Sequence, residues 1–181
     1  MLPGSSGRTA PPGAGLKRLY EAARGERGAV RGEELIDQVE ELLRETFDGA
    51  RPGEGTQYLD HDSGIIPTMH KLSAEEASQR REGRPSIASH LRHMEFHLRV
   101  SHEWIAGDQS RRDWKASFLP QQVTPAEWQA IVDRIQQTRQ DFLRVLRGLP
   151  ADRLVAEGAG MGVIAHLAYH LGAIRQLLRP S

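Results

Sequence analysis

The segment TPAEWQAIVDRIQQTRQDFLRVLRGLP, Thr124 to Pro150, carries the complete signature of a helix with one buried face. Thr124 offers a hydroxyl cap. Pro125 removes a backbone donor that the first turn has no use for, and Glu127 stands where its carboxylate reaches back to the cap amide. Behind this start, Trp128, Ile131, Val132, Ile135, Phe142, Val145 and Leu146 recur at three- and four-residue steps, so they fall on one side of a helix. The helix is predicted to reach about Leu146, and Gly148 followed by Pro150 ends it.

The same reading extends in both directions. Toward the carboxyl end, a helix is predicted from about Met161 to Leu178, stopped by Pro180. Toward the amino end, another begins near Ser86, just after Pro85, and runs to about Ile105 before Gly107, with Ile87, Leu91, Met94, Leu98 and Ile105 as its apolar stripe. A third runs from about Glu33 to Phe47, where Leu35, Ile36, Val39, Leu42, Leu43 and Phe47 keep the spacing until Gly49, Pro52 and Gly53 break it. The connection from Arg51 to Arg84 is long. In it, Ser73 and Glu76 have capping-box spacing, which predicts a short helix from Ala74 to about Arg81. Met1 to Gly15 is crowded with Gly, Pro and Ser and has nothing periodic to bury, so a flexible tail is expected there, followed by a short helical piece around Leu16 to Arg24. No region alternates apolar and polar residues over a strand length. The expected fold is therefore all-α, a four-helix up-down bundle over residues 16 to 181 with a long first crossover carrying a short extra helix.

Composition narrows the chemistry. The 24 basic and 24 acidic residues cancel, so no broad attraction to nucleic acid or anionic lipid is expected. Cysteine is absent, which excludes a disulfide framework, a thiolate nucleophile and any Cys-ligated metal. No stretch approaches the roughly 20 apolar residues of a membrane span, and a cytoplasmic protein is expected. Neither a Gly-rich phosphate loop nor a nucleophile elbow occurs, which leaves nucleotide and serine hydrolysis without support.

Eight histidines remain, six of them on two predicted helices. His166 and His170 are four residues apart, so their rings project from one face a turn apart, beside the stripe of Val163, Leu167, Ile174 and Leu177. Two imidazoles at the edge of a core call for a partner, either a metal or specific hydrogen bonds. A catalytic ion typically takes three protein ligands and keeps one position open. The helix beginning at Ser86 can supply the third from His90, His93 or His97, which fall at successive helical steps. Spacing alone leaves all three open, with His97 ahead of His90.

The segment Ser86-Ile87-Ala88-Ser89-His90-Leu91-Arg92-His93 resembles the second-helix segment of the DinB/YfiT-like proteins, and the resemblance selects His93 as a ligand. His166-Leu167-Ala168-Tyr169-His170-Leu171-Gly172-Ala173-Ile174-Arg175-Gln176 is similar to that family's fourth-helix motif, in which both histidines bind metal. The resemblance covers roughly residues 33 to 178. It implies one divalent ion, zinc or nickel, on His93, His166 and His170. The commoner family pattern has Arg-Gly-Gln after the second histidine; here Leu171-Gly172-Ala173 stand, so supporting polar groups must come from elsewhere. Arg175 and Gln176 are candidates, though the helical wheel turns both away from the apolar centre. What the resemblance implies for function is a metal-dependent transferase acting on a small-molecule substrate with a low-molecular-weight thiol. A metal-dependent hydrolase and a non-catalytic, metal-stabilised bundle are the alternatives, and a homodimer is compatible with the family.

Other residues carry weaker expectations. His61 between Asp60 and Asp62 has the neighbours of an acid–base group but reads first as a solvated turn. His102 belongs to a helix end. Trp104, Trp114 and Trp128 read as core or as the wall of a pocket, and Glu95 and Glu103 as solvated.

Overall fold

The computed structural model describes residues 32–53, 55–81, 83–150, 153 and 160–179. The expected tail at Met1 to Gly15 and the helical piece at Leu16 to Arg24 lie outside the described residues. Among the described residues every regular element is helical. Four are long: α1 (Gly32–Asp48), α4 (Ile87–Ile105), α5 (Pro125–Arg147) and α6 (Met161–Leu177). Between α1 and α4 lie two single-turn helices, α2 (Ile65–Met69) and α3 (Ala74–Ser78), and a 3₁₀ turn at Ala116–Phe118 precedes α5.

The caps explain the boundaries. Thr124 accepts from the Glu127 amide and the Glu127 carboxylate returns to the Thr124 amide, with Pro125 in the first turn. Ser73 and Glu76 close the same reciprocal pair on α3, which is shorter than expected and ends at Ser78. Ser86 caps α4 through the Ser89 amide. Its own hydroxyl donates to the Gln121 carbonyl at 2.6 Å, which ties the start of α4 to the strap before α5.

The apolar stripes meet in one core. Leu43 and Phe47 of α1, Leu91, Met94 and Leu98 of α4, Ile135, Phe142 and Leu146 of α5, and Leu167 and Ile174 of α6 are all fully buried. α4 packs against both α5 and α6, and α1 against α5 and α6. At about 25 cal/mol per Å² of apolar surface, burying each such side chain contributes roughly 1.5–3 kcal/mol, so the core holds the helices without help from a ligand.

The crossover is ordered by one acid that the apolar pattern does not announce. Glu45 is fully buried on α1 and accepts the backbone N–H groups of Gln57, Tyr58 and Leu59 at 2.8, 2.6 and 2.6 Å. Burial pushes its pKa up, but these three donors outweigh burial and hold the carboxyl below its ordinary range. Further along, Gly64 lies against the end of α1: a Cβ there would come within 2.4 Å of the Gly49 nitrogen. Only glycine permits that approach.

One assignment needs correction. Glu95, read as solvated, is 7 % exposed and faces α5, with its carboxylate 3.3 Å from the Thr138 hydroxyl and 3.4 Å from Arg99 Nε. It sits one residue past Met94 on the buried face, and the Arg99 cation accounts for a carboxylate there.

Candidate metal centre

α4 and α6 present their histidines to each other. One ring nitrogen from each of His93, His166 and His170 lies within 4.8 Å of the other two, with His93 and His170 buried and His166 half-buried. The ring centroids are 5.0 Å apart for His93 and His166, 4.8 Å for His93 and His170, and 4.6 Å for His166 and His170. A tetrahedral ion with bonds of about 2.0–2.1 Å spaces its nitrogens roughly 3.3 Å apart, so side-chain adjustments of about an ångström close the set. These three residues lie close enough to hold a metal ion.

Hydrogen bonds on the outer side of the rings decide which nitrogens remain free. The Ser117 hydroxyl donates to the Trp114 carbonyl at 2.6 Å. Having spent its only proton there, Ser117 accepts from His93 Nδ1–H at 2.6 Å, which leaves the lone pair of His93 on Nε2. His170 Nδ1 is 2.9 Å from His90 Nδ1, and in the tautomer in which His170 donates and His90 accepts, the lone pair of His170 lies on Nε2. His166 Nε2 is buried and has no hydrogen-bond partner. An orphaned imidazole nitrogen beside two neutral rings is a costly arrangement in a bare protein and a natural one in a metal site. Three neutral imidazoles with free nitrogens are a donor set that a metal ion can use.

Protonation favours the same chemistry. Burial, followed by the nearby His166 and His90, brings His93 down to about 4. Burial and then His166 and His93 bring His97 to about 4. His170 falls furthest, to about 3, through burial and then the four surrounding imidazoles. Burial also lowers His90 and His166. Near neutral pH all five rings carry lone pairs, not charges.

Aromatic residues wall the cluster. Phe118 stacks on His93 at 4.0 Å with an interplanar angle of 15°, and Trp114 meets the same ring edge-on at 6.3 Å. The Ser89 hydroxyl holds Phe118 in place through its carbonyl at 2.6 Å. His97 does not join the converging three. Its ring lies flat on His166, 3.7 Å away and within 9° of parallel, with its Nδ1 buried and unpartnered.

The remaining sequence candidates fall elsewhere. Trp128 is core, donating its indole N–H to the Leu72 carbonyl, whereas Trp104 is 39 % exposed and contacts Trp114. Arg175 and Gln176 are exposed and border a groove of about 900 Å³ together with Asp60, His61 and Asp62. His61 Nδ1 is 3.0 Å from the Ala50 carbonyl, to which it donates, and the residue is exposed. His102 occupies the last turn of α4. No periodic pattern marks the single 3₁₀ turn that carries Ser117 and Phe118; their one sign in the sequence is their place in the strap between two strong helices.

Compared with known proteins, the chain matches no family model, no curated protein and no solved structure. Among the described residues no helix is long and apolar enough to cross a membrane.

Proposed function

We propose that the chain is a DinB/YfiT-like four-helix up-down bundle that holds one divalent ion, zinc or nickel, on His93, His166 and His170, and acts as a metal-dependent transferase with a low-molecular-weight thiol. The observation that carries the reading is the convergence of three neutral imidazoles from two helices, each with an outward nitrogen committed elsewhere or an inner one left unpartnered.

When bound, the ion would supply Lewis acidity that lowers the pKa of a thiol or water toward neutrality. The chain's own residues do the rest. Three uncharged ligands leave the positive charge of the site uncompensated, which suits an anionic sulfur. Ser117 and His90 fix the rotation of two ligand rings, and Phe118 and Trp114 keep bulk water from one side. The parallel stacking of His97 on His166 keeps it out of the converging set, which supports an open position for substrate over a closed, structural site.

Elemental analysis of protein purified without added chelator tests the first half, with about one equivalent of metal expected. Transfer assays with an electrophilic acceptor and a panel of small thiols, run with and without that metal, test the second. Turnover that needs metal but no thiol would reassign the protein as a hydrolase.

A further inference from the structure

A ligand ring must have its plane fixed, because the last side-chain torsion of histidine is broad when nothing outside the ring holds it. Two of the three rings are held by hydrogen bonds: Ser117 accepts from His93 Nδ1–H at 2.6 Å, and His170 and His90 share one at 2.9 Å between their Nδ1 atoms. His166 has no such support. Its Nε2 is buried without a partner, and among the described residues no hydrogen bond reaches the ring. What His166 has instead is His97, whose ring lies 3.7 Å away and within 9° of parallel. At that separation the two faces are in van der Waals contact, so turning the His166 ring would drive its edge into the face of His97. Trp114 of the strap in turn meets His97 at 5.8 Å with a tilt of 53°, and meets His93 at 6.3 Å.

The stack also separates His97 from the ligands. Imidazole lone pairs lie in the plane of the ring, so parallel stacked rings aim theirs along separate planes and do not meet at one ion. We infer that His97 is the positioning residue of His166: the face of its ring holds His166 in the plane from which it converges with His93 and His170, the task that Ser117 and His90 perform for the other two by hydrogen bonding. Only the flat face is used, so the buried, unpartnered Nδ1 of His97 is dispensable. The consequence for metal binding rests on the proposed three-histidine centre, whereas the stack is a property of the two side chains alone. A well-placed aromatic pair contributes from a few-fold to about tenfold in an equilibrium constant, which sets the size of the effect well below the loss of a ligand.

Zinc affinity of the full chain, measured by competition with a chromophoric chelator, separates the face of the ring from its nitrogen. His97→Phe and His97→Tyr keep a flat face without an imidazole nitrogen, and should bind zinc within about twofold of wild type. His97→Leu and His97→Met fill the space without a flat face, and should bind about tenfold more weakly at an unchanged stoichiometry of one. Two variants of each kind guard against a folding defect in any one, with helical circular dichroism as the check. Wild-type affinity in the Leu and Met variants overturns the inference. So does a loss in the Phe and Tyr variants as large as in the Leu and Met variants, because the nitrogen would then be the working group. Failure of wild type to take up zinc would sink the metal reading, and the stack is then read in the metal-free chain by NMR of the carbon-bound histidine protons. The His166 signals should lie upfield of those of exposed His61, stay upfield in His97→Phe and move downfield in His97→Leu. His166 signals that His97→Leu leaves in place would overturn the positioning role.

Discussion

His170 and His61 are the same residue type placed in opposite physical situations. His170 is 5 % exposed, faces four other imidazoles, and has no acid among its ring contacts. His61 stands between two aspartates in an exposed turn at the edge of an open groove, with Asp60 facing it in sequence at 92 % side-chain exposure. The sequence around His61 looks the more reactive, since flanking carboxylates are the familiar partners of a working histidine. The fold reverses that ranking. Burial without counter-charge keeps the α4–α6 rings neutral and leaves them able to hold a metal ion, whereas water and the Ala50 carbonyl already satisfy the ring at position 61.

The sharpest way to break this contrast is to remove one inner ring. His166→Ala or His170→Ala should weaken zinc binding by about 1,000-fold, roughly 4 kcal/mol, and drop the metal content of purified protein to near zero. The circular dichroism of the helices should persist, because the apolar core is independent of the ion. Retention of a full equivalent by either variant would move the site elsewhere.

A smaller effect is expected one layer out. Ser117→Ala and His90→Ala each remove the group that orients a ligand ring, and should weaken zinc affinity by about 10- to 100-fold without eliminating binding. Competition against a chromophoric chelator measures this, and unchanged affinity in both would mean that the rings are held by packing alone.

Acid should distinguish the two regions in the metal-free protein. The buried histidines titrate near 3 to 4 when folded and near 6.5 when unfolded, so between these values the unfolded chain binds more protons. Stability is therefore fully present above about pH 6.5 and is lost as pH falls toward 4. Melting at pH 7.5 and pH 5.0 should differ by at least about 5 °C, and substituting His93 and His97 with apolar residues should shrink the gap. Equal melting points at both pH values would show that the cluster is not dry. The smallest effect is assigned to His61→Ala, expected to change zinc affinity by less than about twofold; a larger change would couple the groove to the metal centre.

Much of this arrangement is readable in the chain before any coordinates. The caps at Thr124 and Ser86 and the apolar periodicity place the long helices to within about a residue or two, because both signals are local. The four-residue spacing of His166 and His170 fixes that they share a face for the same reason. What stays hidden is tertiary. Whether His90, His93 or His97 meets them depends on the rotation of α4 against α6, and spacing within α4 carries no information about that. Ser117 acts across 24 residues of sequence, and Glu95 is drawn inward by Thr138 and Arg99, partners that no local pattern names. The helix at Ile65–Met69 has Pro67 inside and is only one turn long, too short for periodicity to register.

The carboxylate of Glu45 binds three consecutive amides of the crossover, none of which belongs to a helix or sheet. Solvent isotope can reach the amides of Gln57, Tyr58 and Leu59 only when that acid lets go. Since the acid is buried on α1, these loop positions should exchange hydrogen at the pace at which α1 itself opens, so the two segments form a single cooperative unit despite the irregular backbone of one.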